Sequence, residues 1–357
     1  NKHFQPLSMS KTPGHPLKEF LPPGQKGREY FLPRGSDGKR HPTPQLDECI
    51  QEIYDVADGG PLVDLPFSVF LKSELRSGEI PEDGTLPKYL KPRTITAASL
   101  QMTIVMREQF GAWCEADTFY NGYLSVVGMN VYSPDWHKMI SKLKLLNKLG
   151  FGGDFKFFDA YLKEHILKCF TAQLDAYYGD LGSPRLRAYL LRACKDALLK
   201  IGPYFVRKDF GGTTGNPLTV HMNNFILDYY LKGAFLYLAR TSSPSHFDPA
   251  HYHRLVCAFG LGDDHIATPH PNIQHWYNFN ILREVFASLG IKYTAPDKRV
   301  GHYPDLQPIE EVTFLSSKTR IDLTNELNVL YLPIPATNDY RTLKWTSDSL
   351  TPIEALT

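Results

Sequence analysis

Cysteine is scarce and unpatterned in this chain: five occur in 357 residues (Cys49, Cys114, Cys169, Cys194, Cys257), and no two form a Cys-x-x-Cys pair. That excludes a disulfide framework and the common zinc ribbons, and reads as reduced thiols in an intracellular protein. An excess of one charge is missing too, since 39 Lys plus Arg against 38 Asp plus Glu leave a formal net charge of +1. An anionic partner therefore has to be met by local clustering of basic residues, not by bulk charge. No apolar run approaches the roughly 18–20 residues that span a bilayer, and the opening residues are polar. Internal repeats and low-complexity tracts are absent. The first residue is Asn, not Met, which reads as a fragment or a processed product.

Apolar and aromatic residues are plentiful. Hydrophobic residues make up 42% and aromatics 13%, enough for a large core with rings left over for contact surfaces. The first 45 residues are rich in Pro, Gly, Lys and Arg and exclude long helices. Phe4, Phe20, Tyr30 and Phe31 give that arm something to bury, so an ordered irregular loop is expected. Helical patterns cover 45–58, 98–117, 134–149, about 160–178, 184–200, about 217–239 and 276–289. Ser133 and Pro134 suit the start of the third. GFGGDF reads as a buried strand, LVCAF and HIAT as a hairpin around GLGDD, and TFLSSK and VLYLP as strands. Strands and helices mixed in this way predict an α+β fold.

The chemistry is carried by carboxylates. Asp263 and Asp264 sit side by side at the hairpin tip behind Gly260 and Gly262. Adjacent carboxylates repel, and a fold that exposes both usually brings a cation there. Alone, this GDD reads equally well as an ordinary turn, because Gly and Asp favour turns. A third carboxylate, Asp154, ends the predicted strand. Hard oxygen donors of this kind suit magnesium. Two Mg²⁺ ions roughly 3.5–4 Å apart can activate an attacking hydroxyl and steady a leaving phosphate. His251, His253, His265, His270 and His275 crowd the same stretch but lack a standard zinc spacing. His265 reads as packing in the hairpin or touching a primer backbone.

Order and spacing sharpen this. Asp154 and Asp159 stand five apart in DFKFFD, TGNPLTVHMNN follows, then LGDD. The series resembles motifs A (D-x4-D), B (TG-x3-T-x3-N) and C (GDD) of viral RNA-dependent RNA polymerases, most closely the picornavirus-like group. Lys72, Glu74, Leu75 and Arg76 resemble the family's K-D-E-L-R stretch, with Ser73 in place of Asp. Lys91 and Arg93 in KPRTI resemble motif F. Thr12, Pro13, Gly14, His15 and Pro16 resemble the template loop T-x-P-G-Y-P, one residue shorter and with His for Tyr. Lys298 matches the motif D lysine. Phe314 to Lys318 resemble motif E, usually F-L-K-R, from which Ser316 and Ser317 depart.

The resemblance implies a role for each. Asp154 and Asp263 would hold two Mg²⁺ ions, for which Mn²⁺ could substitute, with Asp264 close by as a weaker or supporting metal partner; Asp264 also reads as a structural turn acceptor. Asp159, Thr219 and Asn223 would read the ribose; Thr219 reads equally as a helix-start residue that caps or packs. Lys72, Arg76, Lys91 and Arg93 would bind the triphosphate, and Lys298 would protonate the departing pyrophosphate. Thr12, Gly14, Thr214, Gly215 and Lys318 would touch template or primer, Thr214 standing where the family usually has Ser. The implied fold is a right hand: an antiparallel palm sheet flanked by helices, with interleaved fingers. Fingers would span 1–130 with an insertion at 179–208, palm 131–178 and 209–320, and the start of a thumb 321–357. The implied partners are RNA template and primer, ribonucleoside triphosphates, a protein primer and other viral replication proteins. The implied location is the host cytoplasm, at membrane-associated replication complexes. A reverse transcriptase fits less well, because its steric gate is typically aromatic where Asp159 and Asn223 stand here. A non-catalytic RNA-binding relative would be expected to have lost a carboxylate. An RNA-binding piece made weak by the short stretch after Lys318 is the remaining alternative.

Overall fold

The computed structural model describes residues 6–72, 93–121, 124–297, 301, 303–321 and 330–331. Its elements run α1 (Pro44–Asp55), β1 (Phe67–Leu71), β2 (Thr94–Ala97), α2 (Leu100–Ala116), α3 (Pro134–Leu146), β3 (Leu149–Phe155), α4 (Glu164–Tyr178) and α5 (Pro184–Lys195). There follow β4 (Leu198–Ile201), β5 (Tyr204–Arg207), α6 (Thr219–Ser242), α7 (Pro249–Leu255), β6 (Val256–Leu261), β7 (Asp264–Pro269), α8 (Phe279–Ser288), β8 (Tyr293–Thr294) and β9 (Gln307–Pro308).

The strand β3 is the hub. The Ser133 hydroxyl caps α3 by accepting from the Asp135 N–H at 3.2 Å, and Pro134 fills the first turn. Asn147 ends that helix in an extended conformation and feeds β3. The sheet order is β6-β7-β3-β8, all antiparallel, with β9 pairing the start of β3. Strand alternation sends side chains to both faces. Phe259 and Ile266 pack on Trp136, Met139, Ile140 and Leu143 of α3. Phe151, Phe155, Ala258 and Ala267 join the larger core with Ile226, Leu227 and Leu231 of α6 and Leu282 and Phe286 of α8. The sheet is thus held between helices on both sides, and burying either face removes several large apolar side chains from water, about 1.5–3 kcal/mol each. At Gly153 a Cβ would lie 2.1 Å from the Tyr293 hydroxyl, so only glycine lets that ring close over β3.

A second sheet, of order β2-β1-β4-β5, joins distant parts of the chain. Ser68 pairs with Ala97, and Phe67 runs parallel to Leu199. The N-terminal arm is ordered and irregular: Leu17, Phe31 and Leu32 pack with Leu46 of α1 and Leu100 of α2. Phe20 is 54% exposed and Tyr30 36%, so of the arm's expected aromatics Phe31 does the burying, and Phe4 lies outside the described residues.

Two expectations are corrected. Residues 184–200 do not form one helix: α5 stops at Lys195, and Leu198–Ile201 is drawn into the second sheet by pairing with β1 and β5. TFLSSK is not a strand but a tight turn, with Phe314 and Ser317 exchanging backbone hydrogen bonds at 2.9 and 3.1 Å.

Candidate active site

The antiparallel register sets Asp154 directly opposite Asp264, one pair beyond Gly153 and His265. Opposed residues of such a pair point to one face with Cβ atoms about 4.5–5.5 Å apart. Asp263 occupies the two-residue turn between β6 and β7, behind Gly262 at φ +70°, the sign pattern of a hairpin turn with glycine in first position. Asp263 is exposed, and Asp154 and Asp264 are half-buried. Below them lies Tyr293, whose phenol is pushed far above its ordinary range, first by burial and further by neighbours that include Asp264 and Asp154.

Backbone groups fix this constellation from two sides. The Leu315 N–H donates to Asp264 Oδ2 at 2.8 Å. It does so from the TFLSSK turn, where Leu315 (φ +52°) and Ser316 (φ +63°) are both left-handed without being glycine. Each costs about 1–2 kcal/mol, so the surroundings must hold them there. On the other side, the Gly262 N–H donates to Asn224 Oδ1 at 2.7 Å.

His265 is wholly buried beneath the carboxylates, its ring stacked on Tyr293 at 5.6 Å, with Nε2 3.1 Å from the Tyr293 hydroxyl. Burial pulls its pKa down to about 3, so it is a neutral packing residue. Of its two expected roles, packing in the hairpin is the one observed.

The second predicted pair also meets. Asn223 Nδ2 donates to Asp159 Oδ1 at 3.3 Å. Thr219 does not join them. Its hydroxyl accepts from the Asn216 N–H at 3.1 Å and donates to the Asn216 carbonyl at 3.0 Å, so it pins the loop before α6. Thr214 and Gly215 dock that loop on β2: the Thr214 N–H donates to Thr96 Oγ1 at 2.9 Å, the Thr96 N–H donates to Thr214 Oγ1 at 3.1 Å, and the Ala98 N–H donates to the Gly215 carbonyl at 2.8 Å. A Cβ on Gly215 would lie 2.3 Å from the Thr96 carbonyl oxygen, so the close approach requires glycine.

Thr12 accepts from the Gly14 N–H at 3.2 Å, and the Leu100 N–H donates to the Pro13 carbonyl at 2.7 Å, seating the arm on the start of α2. Between the arm, α2 and the loop lies a cavity of about 460 Å³ lined by Arg28, Arg107, Gly215, Asn216 and His221 among others. Arg28 has a lowered pKa, first from burial and then from Arg107, so the two guanidiniums repel across this space. Neither stands out in the sequence: Arg28 is one of several basic residues in the arm, and Arg107 is a solitary basic residue in α2.

Lys72 and Arg93 flank the β1–β2 ladder, the Lys72 N–H donating to the Arg93 carbonyl at 2.7 Å. Arg76, Lys91 and Lys298 lie outside the described residues. Lys318 forms a surface ion pair with Glu311 at 2.9 Å.

Among the described residues no three His, Cys, Asp or Glu side chains converge into a ready-made metal cage. Magnesium seldom uses one: it takes one or two carboxylates and completes its octahedron with water and substrate phosphates. Opposed carboxylates on neighbouring strands, with a third at the adjoining turn, are hard oxygen donors of that kind.

A carboxylate-bearing antiparallel hairpin packed beside a third strand and backed by helices is the palm of a right-hand polymerase. The chain belongs to the viral RNA-dependent RNA polymerase family, whose model matches residues 1–328. It is similar to the genome polyprotein of Rice tungro spherical virus (strain A), 27% identical over 372 residues, which cover 99% of this chain and 10% of that protein. It is also similar to the replicase polyprotein of Acute bee paralysis virus, 26% identical over 325 residues, 88% of this chain and 16% of that one. The chain thus spans about a tenth of the first of these relatives. A solved Sicinivirus 3Dpol RNA dependent RNA polymerase shares the fold with a TM-score of 0.78 at 20% identity, covering 100% of this chain and 69% of that one. The right-hand α+β fold is therefore established, and the family generally works with divalent metal ions. No helix among the described residues is long and apolar enough to cross a membrane.

Proposed function

We propose that this chain forms the fingers and palm of an RNA-dependent RNA polymerase that joins ribonucleotides to an RNA 3′ end on an RNA template, for replication of a viral genome. The observation that carries this reading is the register that opposes Asp154 to Asp264 with Asp263 at the adjoining turn.

Two Mg²⁺ ions, or Mn²⁺ in their place, would supply activation of the 3′ hydroxyl and neutralisation of the triphosphate. Asp154 and Asp263 would hold them, while Asp264 is turned toward the Leu315 N–H and supports from beside. The Asn223–Asp159 pair offers a donor and an acceptor to a ribose 2′-OH, itself donor and acceptor. A site built to bond a hydroxyl rejects the sugar lacking it. Lys72, Arg76, Lys91 and Arg93 would grip the triphosphate, arginine by planar bidentate contacts. Lys298 would give a proton to pyrophosphate. Arg28 and Arg107 offer the template backbone a cation pair whose mutual repulsion a phosphate relieves, with Thr12, Gly14, Thr214 and Gly215 shaping the same wall. Lys318 would reach a primer phosphate by exchanging Glu311 for it. Membrane-associated replication complexes in the host cytoplasm are the setting this reading assigns, with a protein primer and other viral replication proteins as partners.

The test is primer extension on a homopolymeric RNA template with Mg²⁺, using the chain expressed with the flanking sequence its relatives have. Template-dependent incorporation lost in Asp263→Asn supports the reading; a parent that extends no primer, or extension indifferent to Asp263, sinks it.

A further inference from the structure

The α6 helix bears two buried polar residues one turn apart, His221 and Asn224, and neither is a predicted ligand of anything. Both face the segment after α2. His221 Nδ1 lies 2.7 Å from Asp117 Oδ2. Asn224 Nδ2 donates to Ser125 Oγ at 2.9 Å, and Ser125 Oγ donates in turn to the Asp117 carbonyl at 3.1 Å. Asn224 is 3% exposed and Ser125 1%. The orientation of the Asn224 amide follows from its partners. The Gly262 N–H can only donate, so the carbonyl oxygen must face it. The Ser125 hydroxyl has spent its proton on Asp117, so the amide nitrogen must face that oxygen.

The same segment grips the adjacent strand. The Gly260 N–H donates to the Leu124 carbonyl at 2.8 Å, and the Val126 N–H donates to the Gly260 carbonyl at 3.1 Å. The strand entering the Asp263 turn is therefore tied at Gly260 by backbone and at Gly262 by a side chain. Gly262 is buried and left-handed, so its N–H has no water to fall back on. Without Asn224 the turn must shift to satisfy that donor, and Asp263 shifts with it.

We propose that Asn224 is a positioning residue for the Asp263 carboxylate, with Ser125 as the group that fixes the Asn224 amide. This rests on the reading of Asp263 as a metal-holding residue. Groups that orient a ligand typically change metal affinity by about 10–100-fold when removed.

The experiment is Mn²⁺ binding to the purified full chain, followed by the paramagnetic signal of free Mn²⁺, with melting temperature measured alongside. Asn224→Ala is expected to weaken the Asp263-dependent binding about 10–100-fold. Ser125→Ala is expected to weaken it less, and the double variant to match Asn224→Ala, since the Ser125 hydroxyl, which also accepts from the Val127 N–H at 3.2 Å, reaches the Gly262 turn through the Asn224 amide. A residue that merely stabilised the fold would lower the melting temperature and leave the affinity of the folded protein alone. If Asn224→Ala melts too low to assay, Ser125→Ala carries the test, and parental affinity in it overturns the proposal. Parental affinity in folded Asn224→Ala overturns it likewise. Binding untouched by Asp263→Asn, or no binding by the parent, overturns the metal site itself and the proposal with it.

Discussion

Asn223 and Asp159 come from motifs 64 residues apart and meet at 3.3 Å, the Asn amide donating to the Asp carboxylate. Neither side chain is spent on the loop as that of Thr219 is, although the Asp159 carbonyl accepts from the Gly212 N–H at 2.7 Å. Replacing Asn223 by Ala removes one of two groups available to a 2′-OH and leaves the other without its orienting partner. The preference for ribo- over deoxyribonucleotides is expected to fall about 10–100-fold, in line with one lost hydrogen bond to a charged pair. Competing single incorporations measure this ratio directly, and an unchanged ratio removes the pair from sugar selection. Thr219→Val is expected to leave the ratio alone and to loosen the loop instead.

Asp154→Asn and Asp263→Asn are each expected to lower incorporation by about 10²–10³-fold or more, as for other groups that stabilise transition-state charge. The fold should survive both, because Asp263 is exposed and Asp154 faces another carboxylate across the strand pair. The melting temperature is expected at or slightly above the parent's, since a like-charge pair is relieved. Near-normal extension by either folded variant removes that residue from the catalytic set.

The carboxylates were legible in the sequence because their order and spacing are local facts, and so was the hairpin that carries two of them. What pairs across long separations was not. Leu198–Ile201 looks helical by its neighbours, and its pairing with β5 on one side and with distant β1 on the other makes it a strand. The turn at Leu315 and Ser316 carries no Gly or Asn to announce it. Tertiary contacts hold it: Phe314 is wholly buried, and the Leu315 N–H is bound by Asp264. Asn224 stands next to Asn223 in MNN, yet nothing in one sequence says that adjacent amides a helical step apart serve different partners.

Phe157 offers a test of stored strain. It sits between Asp154 and Asp159 at φ +59°, 75% exposed, with the Lys292 ammonium 5.9 Å from its ring centroid. Glycine there relieves about 1–2 kcal/mol of left-handed strain and adds about 0.5–1 kcal/mol of unfolded-state freedom. Phe157→Gly is therefore expected to raise stability by about 0.5–1 kcal/mol, read as a higher urea midpoint with unchanged slope. A lower midpoint would mean that the exposed ring contributes more than its backbone costs.

Acid should weaken the fold through His265. Its folded pKa is held down to about 3 by burial, while in the unfolded chain it titrates at the ordinary 6.5. The folded state keeps the ring neutral, so its contribution is whole above 6.5 and is lost as pH falls from there toward 3. The steepest loss is about 1.4 kcal/mol per pH unit. Urea unfolding at pH 8 and between pH 6.5 and 5 should show the parent losing stability faster than His265→Val. Parallel curves would show that the ring takes up a proton inside the palm.

Near-neutral overall charge makes the placement of each cation decisive. Arg107 lines the cavity beside Arg28, and Arg93 ends the β1–β2 ladder next to Lys72. Lys142 instead lies on the exposed side of α3, 5.9 Å from the Phe119 ring centroid. Each phosphate contact to a single strand contributes about −0.7 to the slope of log affinity against log salt, because binding releases condensed counterions. Arg107→Ala and Arg93→Ala are expected to flatten the slope for single-stranded RNA or for a nucleoside triphosphate, respectively, by about one contact each. Lys142→Ala is expected to leave both slopes at the parent value. Measured across a salt series, equal slopes for all three variants and the parent would show that neither arginine meets phosphate, and the polymerase reading would then stand on its carboxylates and its fold.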